Sequence, residues 1–111
     1  MLLPVPDTSG APGKIRPALV VSADPNNVRL QDAIIAIITR TTHRTSTEPT
    51  QFLIEIATPE GIQSGLLHDS AVKCERLHAI MQTLVRRKIG FLPAATMVKI
   101  DDCLKAALGL P

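Results

Sequence analysis

Residues 13–23 read GKIRPALVVSA, and this stretch decides the fold class of the chain. Pro17 restricts the residue before it to extended backbone and has no N–H for a sheet ladder, so Arg16 is expected at the entrance of a strand. The apolar run from Ala18 to Val21 continues that strand. The pattern predicts a permanent positive charge at the rim of a sheet, and an active site is expected there.

Length and composition favour one domain, residues 1–111. The chain has 111 residues, of which 45% are hydrophobic, so it can bury roughly two thirds of the surface of its unfolded form. The net charge of +2 is a weak argument for a polyanionic partner. With two Phe and neither Trp nor Tyr, the chain offers little for base stacking, which disfavours a stacking-based binder of single strands.

The two cysteines, Cys74 and Cys103, are too few for a disulfide framework and too far apart in sequence for a zinc motif. We expect both to be buried and reduced in a cytoplasmic protein. The N-terminus lacks a basic leader, and no apolar run approaches the roughly 18 residues of a membrane span. The sequence gives no reason to expect a metal, a cofactor or a membrane partner.

Further strands are predicted from alternating or continuous apolar residues. The run AIIAIIT at 33–39 is apolar on both faces, and Phe52 to Ile56 alternates. Between Ser70 and Ala79 the apolar residues change from even to odd numbers, which predicts a bulge near Glu75 and Arg76. Residues 79–85 are ambiguous, and we favour a strand. Residues 1–5 are expected as an edge strand because of their prolines.

The remaining segments are predicted as turns, loops and one helix. Residues 7–13, 23–29 and 59–65 are rich in turn formers, and the polar residues 40–49 are expected as a loop. After Pro93, an apolar stripe at helical spacing ends at Gly109. This order predicts a mainly β protein: a small antiparallel β-barrel with one C-terminal helix packed on it.

Four segments in order resemble the MazF/PemK toxins of toxin–antitoxin pairs. They are KIRPALVVS at 14–22, AIIAIIT at 33–39, SAVKCERL at 70–77, and RRKIGFLP at 86–93 followed by the helix to LKAALGL at 104–110. The resemblance implies an SH3-like barrel and a homodimeric endoribonuclease. Such a toxin cleaves single-stranded RNA, such as mRNA, sequence-selectively without a metal ion and is inhibited by a bound antitoxin protein.

In this family the catalytic pair is the arginine of the Arg-Pro motif and the threonine that closes the next core strand. The resemblance therefore implies Arg16 and Thr39. When a 2′-hydroxyl attacks the neighbouring phosphorus, negative charge develops on the phosphoryl oxygens, and Arg16 offers a planar fork of donors to them. The alternatives are a solvated rim charge for Arg16 and a mere β-branched strand former for Thr39.

Other polar residues are weaker candidates. His43 follows Thr39 in a loop and, as a histidine, is a possible acid or base, although a lone loop histidine is usually just exposed. The candidate RNA-binding residues, each with a solvated surface position or a turn as its alternative, are Ser9, Lys14, Arg40, Arg76, His78, Arg86 and Arg87.

An alternative function stays open on the same fold. Family members usually begin with a full strand that starts Gly-Asp, whereas only MLLPVP precedes the first loop here, and Met81 stands where many relatives have an acidic residue. The alternative is a non-catalytic binding module, either a degenerate toxin that still binds an antitoxin or a poison of a protein target such as a topoisomerase.

Overall fold

Five antiparallel strands form one sheet, in the order β1-β2-β3-β5-β4. The computed structural model describes residues 2–6, 15–84 and 88–111. Its strands are β1 (Leu2–Pro6), β2 (Ile15–Val20), β3 (Asp32–Thr39), β4 (Gln51–Ile54) and β5 (Ser70–Met81). The mainly β class is thereby confirmed. However, β1 and β4 are edge strands that do not pair with each other, so the predicted barrel is an open sheet within the described part of the chain.

The N-terminal strand pairs along its whole length with β2. Its register puts Pro4 opposite Pro17 and Val5 opposite Arg16. Neither proline has an N–H, so this pair fits a position of the ladder where opposite residues do not exchange hydrogen bonds. The prediction of an edge strand at residues 1–5 is confirmed, as is the position of Arg16 near the start of β2.

The predicted change of parity in β5 is confirmed. Strand β3 pairs with β5 through Ala36↔Leu77 and then through Ile37↔Lys73, so one step along β3 corresponds to four along β5. The three extra residues include Glu75 and Arg76, where the sequence predicts the bulge. The irregularity reverses which residues of β5 face the helix.

The C-terminal helix covers one side of the sheet. Helix α3 spans Ala94–Leu108 and ends at Gly109 in the left-handed conformation, as expected, and it begins without a side-chain cap. Its Ile100 and Cys103 lie in the main core cluster with Ile38 and Val72. The predicted stripe is confirmed, because Met97, Leu104 and Ala107 pack against this cluster.

Two short helices lie where the sequence predicts only turns. Helix α1 (Asp24–Arg29) and helix α2 (Pro59–Ser64) each have a proline at one of the first two positions. Thr58 caps α2 by accepting a hydrogen bond from the N–H of Gly61. A proline and a hydroxyl residue fit the start of a helix as well as a turn, and tertiary contacts select the helix.

The ambiguous segment 79–85 is a strand only up to Met81. A single 3₁₀ turn follows at Gln82–Leu84. Strand β4 ends at Ile54, two residues before the predicted end, and Ile56 is exposed. In the part of the chain that the structure describes, no helix is both long and apolar enough to cross a membrane.

Candidate functional site

Thr39 is the last residue of β3 and lies on the side of the sheet that faces away from α3. Directly opposite residues of an antiparallel pair share a side. Ile38 is opposite Val72, and both point into the core under α3. Thr39, opposite Ala71, therefore points the other way. We call this side the Thr39 face, formed at its described positions on β2 to β5 by Ala18, Val20, Ala33, Ile35, Ile37, Thr39, Gln51, Leu53, Ala71, Lys73, His78 and Ile80.

The register of β2 and β3 relates Arg16 to Thr39. The recorded pairs are Ala18↔Ile37, Leu19↔Ala36 and Val20↔Ile35. Continuing the same register by two residues brings the backbone of Arg16 opposite Thr39. Pro17 has no N–H to donate, which agrees with a ladder that begins only at Ala18. The Arg16 side chain lies outside the described part of the structure, so this relation is one of backbone position.

The hydroxyl of Thr39 is available as a donor. The side chain is half-buried, and its Oγ1 accepts a hydrogen bond from the N–H of Thr41 at 3.2 Å. A hydroxyl that accepts one bond still has its own O–H to donate. A fixed, half-buried hydroxyl at the rim of a sheet suits recognition of a phosphoryl oxygen.

Arg40 and His43 follow Thr39 in the connection to β4. Both side chains are exposed, and the segment is held by local turns such as the bond from Thr45 N–H to the Thr42 carbonyl, 3.2 Å. Arg40 and His43 are therefore related to Thr39 only by their nearness in the sequence.

Arg76 and His78 differ in their surroundings. Arg76 is exposed within the bulge of β5, whereas His78 is half-buried on the Thr39 face, opposite Ile35. Ile35 is four residues from Thr39 along β3, which amounts to roughly 13 Å. His78 thus shares the face but lies away from its Thr39 end. The predicted residues Ser9, Lys14, Arg86 and Arg87 lie outside the described residues.

The structure adds one cation that the sequence reasoning missed. Lys73 is half-buried on β5, opposite Ile37 on β3 and Gln51 on β4. The sequence contains a signal for it: the apolar residues Val72 and Cys74 have even numbers, and alternation puts Lys73 on the other side of the strand. The sequence alone does not identify the residues of neighbouring strands that share that side.

Two further features lie apart from the Thr39 face. The thiols of Cys74 and Cys103 are free and buried as expected, and burial, followed by the charges of Cys103, Glu75 and Asp101, raises the pKa of Cys74 to about 12. An open cavity of about 510 Å³ lies at the far end of β3, lined by Asn27, Leu30, Gln31, Met81, Gln82 and Thr83. Among residues 2–6, 15–84 and 88–111, no group of three or more His, Cys, Asp or Glu side chains is arranged to hold a metal ion.

The fold and the order of the segments are those of a class of small protein toxins. Residues 1–108 match the family described as PemK-like, MazF-like toxins of type II toxin–antitoxin systems, and the chain belongs to that family. Endoribonuclease MazF6 of Mycobacterium tuberculosis is 31% identical over 106 residues, which cover 95% of this chain and 88% of that relative. Endoribonuclease MazF9 of the same organism is 32% identical over 98 residues, 86% of this chain and 79% of the relative.

Solved structures share the fold. The M. tuberculosis toxin MazF-mt6 superposes with a TM-score of 0.79 at 21% identity, covering 99% of this chain and 97% of the other. An endoribonuclease from a mycobacterial species, solved in complex with its cognate antitoxin, also gives 0.79 at 24% identity, covering 99% and 92%. The resemblance found in the sequence is therefore confirmed.

Proposed function

We propose that this protein is the toxin of a type II toxin–antitoxin system and that it cleaves single-stranded RNA, with mRNA as its target. The observation that carries the proposal is the β2–β3 register at Ala18↔Ile37, because extending it by two residues puts the backbone of Arg16 opposite Thr39 at one rim of the sheet. We infer the reaction from relatives named as endoribonucleases, which are 31% identical over 95% of the chain. We treat residues 1–111 as one toxin domain acting in the cytoplasm, where mRNA is translated.

The proposed reaction transfers a phosphoryl group within the RNA, from the 5′-oxygen of the next nucleotide to the 2′-oxygen. The 2′-hydroxyl loses its proton and attacks the adjacent phosphorus, the bond to the 5′-oxygen of the next nucleotide breaks, and that oxygen gains a proton. The products are a 2′,3′-cyclic phosphate and a free 5′-hydroxyl. This route needs no metal ion, since a fixed guanidinium can stabilise the charge that develops on the non-bridging oxygens.

Arg16 and Thr39 have different tasks in this scheme. The guanidinium of Arg16 would donate two hydrogen bonds to the phosphoryl oxygens and neutralise part of their charge. The hydroxyl of Thr39 would donate one more, but it is too weak a base to remove the 2′ proton. We assign His43 as the candidate acid or base, because an imidazole can both accept and donate a proton and His43 follows Thr39 closely in the sequence.

The partners in this proposal are an antitoxin and a second copy of the chain. A mycobacterial endoribonuclease of the same fold was solved with its cognate antitoxin, and MazE–MazF of Deinococcus radiodurans gives a TM-score of 0.73 at 20% identity. An antitoxin would block the toxin by covering the RNA site. Sedimentation showing only an 11.9 kDa species at micromolar concentration would contradict the homodimer.

The direct test is RNA cleavage in EDTA. Purified wild-type protein should cut a long RNA at defined sites, and Arg16→Ala should reduce kcat by about 10²–10³, the usual effect of removing one transition-state donor. Arg29→Ala is the matched control, because Arg29 is exposed at the end of α1 and donates to the Asn26 side chain at 2.9 Å.

Three outcomes separate the proposal from its alternatives. Intact RNA with the wild type, or equal cleavage by Arg16→Ala, would refute the endoribonuclease assignment. Growth arrest without RNA cleavage would instead select a poison of a protein target. Antitoxin binding with neither arrest nor cleavage would select a degenerate toxin.

A further inference from the structure

We propose that Lys73 is a substrate-binding residue of the same site, where its ammonium group holds an RNA phosphate next to the scissile one. The inference rests on the proposed function, and it concerns a residue on a different strand from Arg16 and Thr39. Its basis is the register of three neighbouring strands together with the burial of Lys73.

The register brings Lys73 close to Thr39. Lys73 is directly opposite Ile37, and Thr39 lies two residues beyond Ile37 on the same side of β3. Such diagonal neighbours in an antiparallel pair have their Cβ atoms about 7 Å apart. The four-carbon stem of a lysine can span that separation, so the ammonium group can reach the space in front of the Thr39 hydroxyl.

The position of Lys73 is unusual for a lysine. It lies on β5, which is flanked within the sheet by β3 on one edge and β4 on the other, and its side chain is half-buried. Lysines are mostly exposed, because desolvating an ammonium group is costly unless an anion compensates. The backbone of Lys73 is paired with both neighbouring strands, but within the described ranges its ammonium group makes neither a hydrogen bond nor an ion pair.

The nearest acidic side chain on this strand is already engaged. Glu75 lies two residues beyond Lys73 and accepts a hydrogen bond from Nε2 of Gln51 at 2.8 Å. Gln51, the cross-strand neighbour of Lys73 on β4, thus orients Glu75, and Glu75 makes no ion pair with Lys73 among the described residues, so the ammonium group can bind another anion. The backbone of RNA carries such an anion at every nucleotide.

The chemistry fits a flanking phosphate better than the reacting one. An ammonium group acts as a point charge without the planar fork of a guanidinium, so it suits electrostatic binding more than bidentate stabilisation of a transition state. Phosphate contacts position a nucleic acid without reading its sequence. Loss of Lys73 should thus weaken binding of all RNA sequences to a similar degree.

Salt dependence distinguishes a phosphate contact from a structural role. Each phosphate contact to a single strand contributes about 0.7 to the slope of log K against log salt concentration. We expect Lys73→Met, which preserves the apolar stem, to lower kcat/KM about tenfold at low salt and to flatten the salt slope by about 0.7. Lys73→Arg should retain most of the activity and the full slope.

Lys99→Met is the matched control, because Lys99 is an exposed cation on α3, on the other side of the sheet. The cleavage assay is run in EDTA over a series of sodium chloride concentrations. A second measurement uses fluorescence anisotropy with an RNA whose reactive 2′-hydroxyl is replaced by hydrogen, so that binding is observed without cleavage.

The outcomes separate this inference from the function on which it rests. If the wild type leaves RNA intact, the endoribonuclease assignment fails, and the anisotropy slope still decides whether Lys73 binds phosphate. If the wild type cleaves RNA while Lys73→Met and Lys99→Met give the same slope, the inference is wrong. Lost activity with an unchanged slope and a lowered urea midpoint would make Lys73 structural and would equally overturn it.

Discussion

Gly90→Ala should destabilise the protein by about 2–4 kcal/mol, because two backbone segments meet at this glycine without room for a side chain. A Cβ atom on Gly90 would overlap the carbonyl group of Ser64 and approach the carbonyl oxygen of Gln63 to 2.5 Å. Ordinary contacts are 3.5–4.0 Å, so the segments would have to separate by about 1 Å.

The magnitude follows from what that separation costs. The hydrogen bond from Phe91 N–H to the Gln63 carbonyl, 3.1 Å, would lengthen to about 4 Å and be lost, at a cost of about 0.5–1.5 kcal/mol. Forcing extra volume into a packed site adds about 1–3 kcal/mol. All three obstructing atoms belong to the backbone at the end of α2, which cannot turn aside as a flexible side chain can.

Urea unfolding at 25 °C is the assay. With an m-value of about 2 kcal/mol/M, the middle of the usual range, the midpoint of Gly90→Ala should fall by roughly 1–2 M at unchanged m. Gly109→Ala is the control: it has a φ of 69° but nothing within 4 Å of the added Cβ, so it should lose only the roughly 1–2 kcal/mol of left-handed backbone strain. Gly65→Ala combines a φ of 75° with overlap of the Ile89 carbonyl and should lose most. A Gly90→Ala loss no larger than that of Gly109→Ala would refute the close backbone packing.

Three other predictions concern the site, pH and α1. Thr39→Val should lower kcat about 10²–10³-fold yet cost at most about 1 kcal/mol of stability, since it gives up one accepted hydrogen bond; Thr39→Ser should keep most of the activity, and equal activity of both variants in the EDTA cleavage assay would argue against the hydroxyl. Burial raises the pKa of Cys74 from 9.0 to about 12, so the native state binds this proton more tightly: the stability it contributes is complete below pH 9 and should fall by about 1.4 kcal/mol per pH unit above 9 until about pH 12. Urea titrations of Cys74→Ala should show a smaller slope over this pH range, because Cys103, whose pKa burial also raises, remains; identical slopes of wild type and variant would contradict the assignment. Gln82→Ala should lower the free energy of unfolding by about 1–3 kcal/mol in urea titrations, because Nε2 of Gln82 donates to two carbonyls at the end of α1, at 2.7 and 2.9 Å; an unchanged midpoint would mean that water replaces both bonds.

Local patterns in the sequence predicted the features that depend on neighbouring residues. Pro17 fixed the extended entry of Arg16 into β2, the run at 33–39 predicted a strand buried on both sides, and the parity change near Glu75 predicted the bulge. The stripe of α3 was equally clear. Each of these follows from the backbone limits of proline or from a side-chain period of two or 3.6 residues. The same segments revealed the family.

Tertiary structure decided what depends on contacts between distant segments. Pro25 and Pro59 suit position i+1 of a turn and the start of a helix alike. Only packing and capping decided that the segments they begin are helices. Pairing also decided that β1 and β4 do not meet, which leaves the sheet open. For the proposed RNA site, the register around the bulge brought Lys73 beside Thr39 and left Arg76 exposed in the bulge. Sequence alternation assigns a residue to a side of its own strand, but the neighbours on that side are fixed only when the strands pair.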